Sequence, residues 1–183
     1  MMLDEGWIEH DWVTRLQSPN QDARPMGTVV DSVVIHCISL PERGRSLRHV
    51  QDLFLNRLDF HAHPSFAALM ELRVSAHFVI DRDGTILQFV SCEKRAWHAG
   101  VSAAMGRTNF NHFSIGIELL GDVYTPFDAA QYSSLTRLLA ELRKRYPLRY
   151  ALAHSEIAPS RKTDPGPFFD WENLRKPYTY ELL

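Results

Sequence analysis

Residues 28–40 read TVVDSVVIHCISL, a run rich in β-branched side chains between Pro25-Met26-Gly27 and Pro41. β-Branched residues pack well on a pleated surface, and prolines and glycines punctuate its ends, so this run predicts a buried strand. A polar imidazole, His36, falls near its C-terminal end. A strand of this kind needs neighbours, and the chain supplies them on both sides.

SAHFVIDRDGTILQFV (75–90) is two β-rich runs around Asp83-Gly84, a dipeptide that accepts the positive φ of a tight hairpin turn. FSIGIELLG (113–121) is a third apolar run, broken by Glu118, and YALAHSE (150–156) predicts a short strand ending at His154. In DAAQYSSLTRLLAELRKRYP (128–147), Asp128 and Gln131 have capping-box spacing, and Leu135, Leu138, Leu139, Leu142 and Tyr146 recur at helical intervals before Pro147. A second helix is expected over Leu47–Leu58, with Val50, Leu53 and Phe54 forming an apolar stripe beneath a basic rim that includes Arg57. The alternation implies an α/β fold, a mixed central β-sheet flanked by helices on both faces. AGVSAAMGRTNFNH (99–112) has the polarity of a long surface loop. The expected organisation is a single domain over 1–183, with residues 1–27 as an N-terminal arm on the surface and 28–172 as the core.

Composition narrows the function. At 183 residues and 45% hydrophobic the chain can bury a proper core. A net charge of −2 argues against a nucleic-acid partner, whose phosphates demand a basic surface. No apolar run approaches a membrane span, and the start MMLDEGWIEHDWV lacks a secretory pattern. Two cysteines, Cys37 and Cys92, sit in or beside apolar runs as expected of buried free thiols, so the reading is a cytoplasmic protein.

The stretch AHSEIAPSRKTDPGPFFDW (153–171) carries His154, Lys162 and Asp164 on a segment stiffened by prolines. With His36, His154 and Asp164 make two imidazoles and a carboxylate, the ligand set of a catalytic zinc with one position open for water. Nine histidines make some such triplet easy to find, so spacing leaves the metal reading open. Glu118 alone reads as a solvent-facing edge residue, and Lys162 as an ordinary loop cation. His61 and His63 form an H-x-H pair in a polar connection with no third ligand nearby, which favours an exposed loop. Cys37 follows His36 directly and should point to the opposite face of the strand.

Taken in order, VVIHCISLP, LRVSAHFVIDRDGTILQFV, RAWHAGVS, NFNHFSIGIELLG and HSEIAPSRKTDPGPFFDW resemble the zinc-dependent N-acetylmuramoyl-L-alanine amidases of the cytoplasmic AmpD type, within the wider amidase and peptidoglycan recognition protein-like family. The resemblance runs from about residue 15 to 172. It implies Zn2+ on His36, His154 and Asp164, with Glu118 and Lys162 as the catalytic polar pair. It implies hydrolysis of the amide between (anhydro-)N-acetylmuramic acid and L-alanine in small soluble muropeptides during cell-wall recycling, and a link to β-lactamase induction where such a circuit exists. His77 and His98 lie in matching motifs but read as packed or supporting groups outside the metal set. Arg73 and Arg107, also in matching motifs, are candidates to pair with substrate carboxylates. Two departures stand out: Cys37 where asparagine is more usual, and PERGRSLRHVQ (41–51) where an aromatic, glycine-rich stretch is expected.

Overall fold

The computed structural model describes residues 6–175. Strand β3 (Ser32–Ile38) is the predicted buried strand, and it lies inside a six-stranded sheet of order β1-β5-β4-β9-β3-β10. The other strands of that sheet are β1 (Val13–Arg15), β4 (Phe78–Ile80), β5 (Ile86–Gln88), β9 (Ser114–Leu120) and β10 (Tyr150–Ala153). β3 runs parallel to both β9 and β10, and β9 parallel to β4. The β4–β5 hairpin turns at Asp83-Gly84 as predicted, with Gly84 at φ +89. β2 (Gln21–Ala23) and β6 (Lys94–Ala96) form a separate antiparallel ribbon.

Alternation along the strands sorts the core into layers. Val33 and Ile35 of β3 pack with Ile115, Ile117 and Leu119 of β9 against helix α2 (Ala129–Arg143), which contributes Leu135, Leu138, Leu139 and Leu142. On the opposite face, Val79, Leu87, Phe89 and Leu120 meet Val50, Leu53 and Phe54 of helix α1 (Leu47–Phe54) and Phe66 of a 3-10 turn (Pro64–Leu69). A third cluster joins Val34 and Leu152 to Phe110, Phe113 and Ile157. Helices thus cover both faces. The Gln131 side chain accepts from the Asp128 amide and donates to the carbonyls of Ile80 and Leu120, so one residue caps α2 and ties it to the sheet.

Four expectations are corrected. The N-terminal arm does more than wrap the surface, because Val13–Arg15 extends the main sheet beside β5. α1 stops at Phe54 rather than Leu58, with Asn56 in the left-handed region at φ 57. The 99–112 segment is not one open loop: β7 (Ala103–Ala104) and β8 (Arg107–Thr108) form a small hairpin, followed by a 3-10 turn over Phe110–His112. β10 closes at Ala153, and His154 opens the short helix α3 (His154–Ile157).

Candidate active site

The parallel strands bring their C-terminal ends to one edge of the sheet, where ligands of open α/β sheets gather. His36 of β3 stands opposite Glu118 of β9 in register, so both side chains leave the same face. Ala153 pairs with Ile35, which delivers His154 beside His36. Asp164 arrives on the segment after α3, held by the Ser155 amide donating to the Asp164 carbonyl at 3.0 Å. Close packing fixes that segment further on: a Cβ at Gly166, whose φ is +84, would stand 2.7 Å from Val123.

The candidate ligand atoms of His36, His154 and Asp164 lie within 4.8 Å of one another. His36 Nδ1 is 2.9 Å from His154 Nδ1 and 3.2 Å from Asp164 Oδ2, and His154 Nδ1 is 3.1 Å from the same oxygen. The far side of His154 fixes its tautomer. Its Nε2 faces the Ala99 carbonyl at 3.2 Å, and a carbonyl only accepts. Nε2 therefore carries the hydrogen, and Nδ1 turns a lone pair toward a carboxylate oxygen. Acceptors so close together need either a hydrogen on His36 Nδ1 or a cation between them. Burial also lowers the His36 pKa to about 4, which keeps its imidazole neutral, the form that ligates.

Glu118 and Lys162 line the same cavity of about 190 Å³, whose walls include Phe54, Leu72 and Trp97. Glu118 Oε2 is buried with no hydrogen-bond partner among the described residues. Burial first, and the Asp164 charge second, push the Glu118 carboxyl well above the ordinary carboxylate range, while Lys162 pulls it down. β9 lies between β4 and β3, so the reading of Glu118 as an edge residue does not hold. A second cavity of about 270 Å³ shares Cys37, Lys162 and Asp164 and extends to Arg43 and Tyr124. Cys37 packs with the α2-side core, and burial raises its thiol pKa, so it stands apart from the ligand set.

Arg107 is engaged away from the cleft, whereas Arg73 stands between Leu72 and Val74, which line it. Arg107 pairs with both carboxylate oxygens of Asp31 at 3.0 and 3.1 Å and lies over the Phe113 ring. Asp31 precedes β3, five residues before His36, which along a strand is about 16 Å from the cluster. Arg73 is exposed and hydrogen-bonds back to the Leu72 carbonyl. His77 is packed: its Nδ1 accepts from the Gly116 amide and its Nε2 meets the Lys94 carbonyl. His63 accepts from the Ser65 amide at the start of the 3-10 turn. Motif reading gave no role to Trp97, the Ala99 carbonyl or Ser114, because their partners are distant in sequence.

A family profile described as N-acetylmuramoyl-L-alanine amidase matches residues 26–167. The chain belongs to that family. Over 177 residues, 96% of this chain and 94% of the relative, it is 46% identical to the 1,6-anhydro-N-acetylmuramyl-L-alanine amidase AmpD of Citrobacter freundii. Among solved structures, a selenomethionine derivative of AmpD superposes with a TM-score of 0.89 at 46% identity, covering 98% of this chain and 100% of that one. The amidase fold also matches AmiD of E. coli, solved with anhydro-N-acetylmuramic acid-L-Ala-D-gamma-Glu-L-Lys, at a TM-score of 0.59 and 30% identity over 82% of this chain and 59% of that chain.

Proposed function

We propose that this chain is a zinc-dependent amidase that hydrolyses the bond between 1,6-anhydro-N-acetylmuramic acid and L-alanine in small soluble muropeptides, in the cytoplasmic recycling of cell wall. The observation that carries the reading is the convergence of two imidazole nitrogens and a carboxylate oxygen beside the unpartnered Oε2 of Glu118. Their separations of 2.9–3.2 Å approach the spacing of about 3.3 Å between ligands in a tetrahedral zinc site. His36, His154 and Asp164 would hold the ion, which when bound acidifies water and polarises a carbonyl.

The chain's own groups do the rest. Glu118 takes a proton from the attacking water through its free oxygen. Water oxygen bonds to the lactyl carbonyl carbon, the C–N bond breaks, and Glu118 returns the proton to the departing L-alanine nitrogen. Lys162 brings a fixed positive charge to the cavity, where the carbonyl oxygen becomes an oxyanion during attack. The walls of Phe54, Leu72 and Trp97 thin the water around these charges, which strengthens each interaction. Products are a free carboxylate on the sugar side and a free amine on the peptide.

The test pairs elemental analysis with mass spectrometry. One zinc per chain is expected, together with free stem peptide from anhydromuropeptides and far slower release from insoluble sacculi. His154→Ala and Asp164→Ala should lose the metal. Full zinc in both variants, or intact muropeptide after incubation with the wild type, would overturn the reading.

A further inference from the structure

We infer that His98 and Ser114 are positioning residues that fix the tautomer of His36 and so aim its metal-binding lone pair. The inference rests on the zinc reading above for its purpose, though not for its geometry. His36 Nε2 lies 2.9 Å from His98 Nδ1, and His98 Nε2 lies 3.3 Å from Ser114 Oγ. The Ser114 hydroxyl in turn stands 2.5 Å from the Phe110 carbonyl oxygen. This chain of contacts runs in only one direction.

A hydroxyl has one hydrogen to give, and a carbonyl can only accept. The Ser114 hydrogen is therefore spent on Phe110, and toward His98 the serine oxygen is an acceptor. His98 must place its own hydrogen on Nε2, which leaves Nδ1 as a lone pair. That lone pair accepts from His36 Nε2–H, and His36 is left with a bare Nδ1 facing His154 and Asp164. The reverse order fails at its first link. It would need His36 to carry hydrogen on Nδ1, His98 to donate from Nδ1, and Ser114 to donate to His98 while also satisfying Phe110.

Sequence supports the arrangement at a third position. The His98 ring lies against Gly116 of β9, where an added Cβ would stand 2.4 Å from Cγ and 2.6 Å from Nδ1. A glycine in mid-strand weakens a sheet and calls for a reason such as close approach of another group. Here the group is the ring that orients a ligand. Hydrogen-bond partners of metal-binding histidines commonly set ring orientation, and losing one costs about 10–100-fold in affinity.

The experiment reads tautomers and metal separately. Nitrogen-15 NMR of the full-length protein without zinc should show His36 as the Nε2–H tautomer. Chelator competition should show His98→Leu weakening zinc binding about 10–100-fold, with His36 tautomers mixed. Ser114→Ala, which frees the His98 hydrogen, should move both readouts the same way to a lesser degree, and it serves if His98→Leu does not fold. His98→Asn, whose carbonyl oxygen can accept from His36, should restore most of the affinity. A His36 Nδ1–H tautomer in the wild type would overturn the inference. So would unchanged zinc affinity in folded His98→Leu and Ser114→Ala, or a His98→Asn as weak as His98→Leu, which would make the role one of packing. If the wild type binds no zinc while His36 still carries its hydrogen on Nε2, the zinc reading fails and the tautomer assignment stands.

Discussion

Replacing Gly116 with alanine puts the packing around His98 to a quantitative test. The new Cβ would meet three ring atoms at 2.4, 2.6 and 2.7 Å, whereas carbon contacts are comfortable near 3.5 Å, so the ring must retreat by about 1 Å. His98 is partly buried and borders the cavity, so it has somewhere to go. Moving there stretches its contacts to His36 and Ser114, worth about 1 kcal/mol each, and residual overpacking against β9 adds about 1–3 kcal/mol. A total of about 3–5 kcal/mol corresponds to a Tm lower by about 6–20 °C for a chain of this size. Thermal unfolding should be followed with chelator and with excess zinc. On the proposed zinc reading the metal binds only the folded state, so each tenfold loss of affinity removes a further 1.4 kcal/mol or so under zinc-loaded conditions. Gly116→Ala should therefore be penalised more with zinc than without it. A Tm within about 2 °C of wild type in both conditions would refute the reasoning.

Three further outcomes follow from the same structure. Glu118→Gln keeps the shape of the cavity but cannot move a proton, so zinc content should be unchanged while kcat falls about 10²–10⁴-fold, measured by peptide release. His77 is buried, and burial first and Arg24 second push its pKa well below the ordinary 6.5. The unfolded chain then binds a proton that the native state refuses below about pH 6.5, so stability rises with pH and is lost on acidification at up to about 1.4 kcal/mol per pH unit. Urea unfolding between pH 5 and 7 in chelator should show a shallower slope for His77→Gln, and an equal slope would remove His77 from the account. Arg24 donates to the carbonyls of Cys92, Asn111, His112 and Ser114. Arg24→Met removes a donor from each of these four carbonyls and should cost about 3 kcal/mol or more in urea, with an effect below 1 kcal/mol contradicting the count.

Much of the frame was legible in local sequence because the deciding interactions are local. The Asp83-Gly84 turn and the Asp128–Gln131 cap are each complete within a few residues, and both stand where the residues predict them. β1 escaped because three residues, Val13–Arg15, are too few to show alternation, and only the neighbouring β5 makes them a strand. Within 99–112 the turn depends on Met105 at φ 53 and Gly106 at φ 70, and a left-handed methionine leaves no mark in composition. Glu118 in an apolar run fits an edge or an interior strand equally well until the sheet order is known. Arg107 faced a similar difficulty, since its partner Asp31 lies 76 residues away. The placing of His36, His154 and Asp164 together follows the same rule: motif likeness pointed to all three, while their convergence depends on strand register.

That register also divides the site like the jaws of a vice. His36 and Glu118 face each other across adjacent strands, and the gap between them is the interval of the sheet itself, about 4.8 Å, which no single surface change can widen. Asp164 and Lys162 belong to the opposing jaw, a segment hung from α3 by amides donating to the carbonyls of Ala158 and Asp164. Damage to the hung jaw would misplace Asp164 and Lys162, the proposed metal ligand and oxyanion counter-charge, in the same stroke. Loss of metal and loss of turnover should then be inherited together from substitutions between residues 158 and 167, whereas a fault beneath the fixed jaw must first deform the sheet.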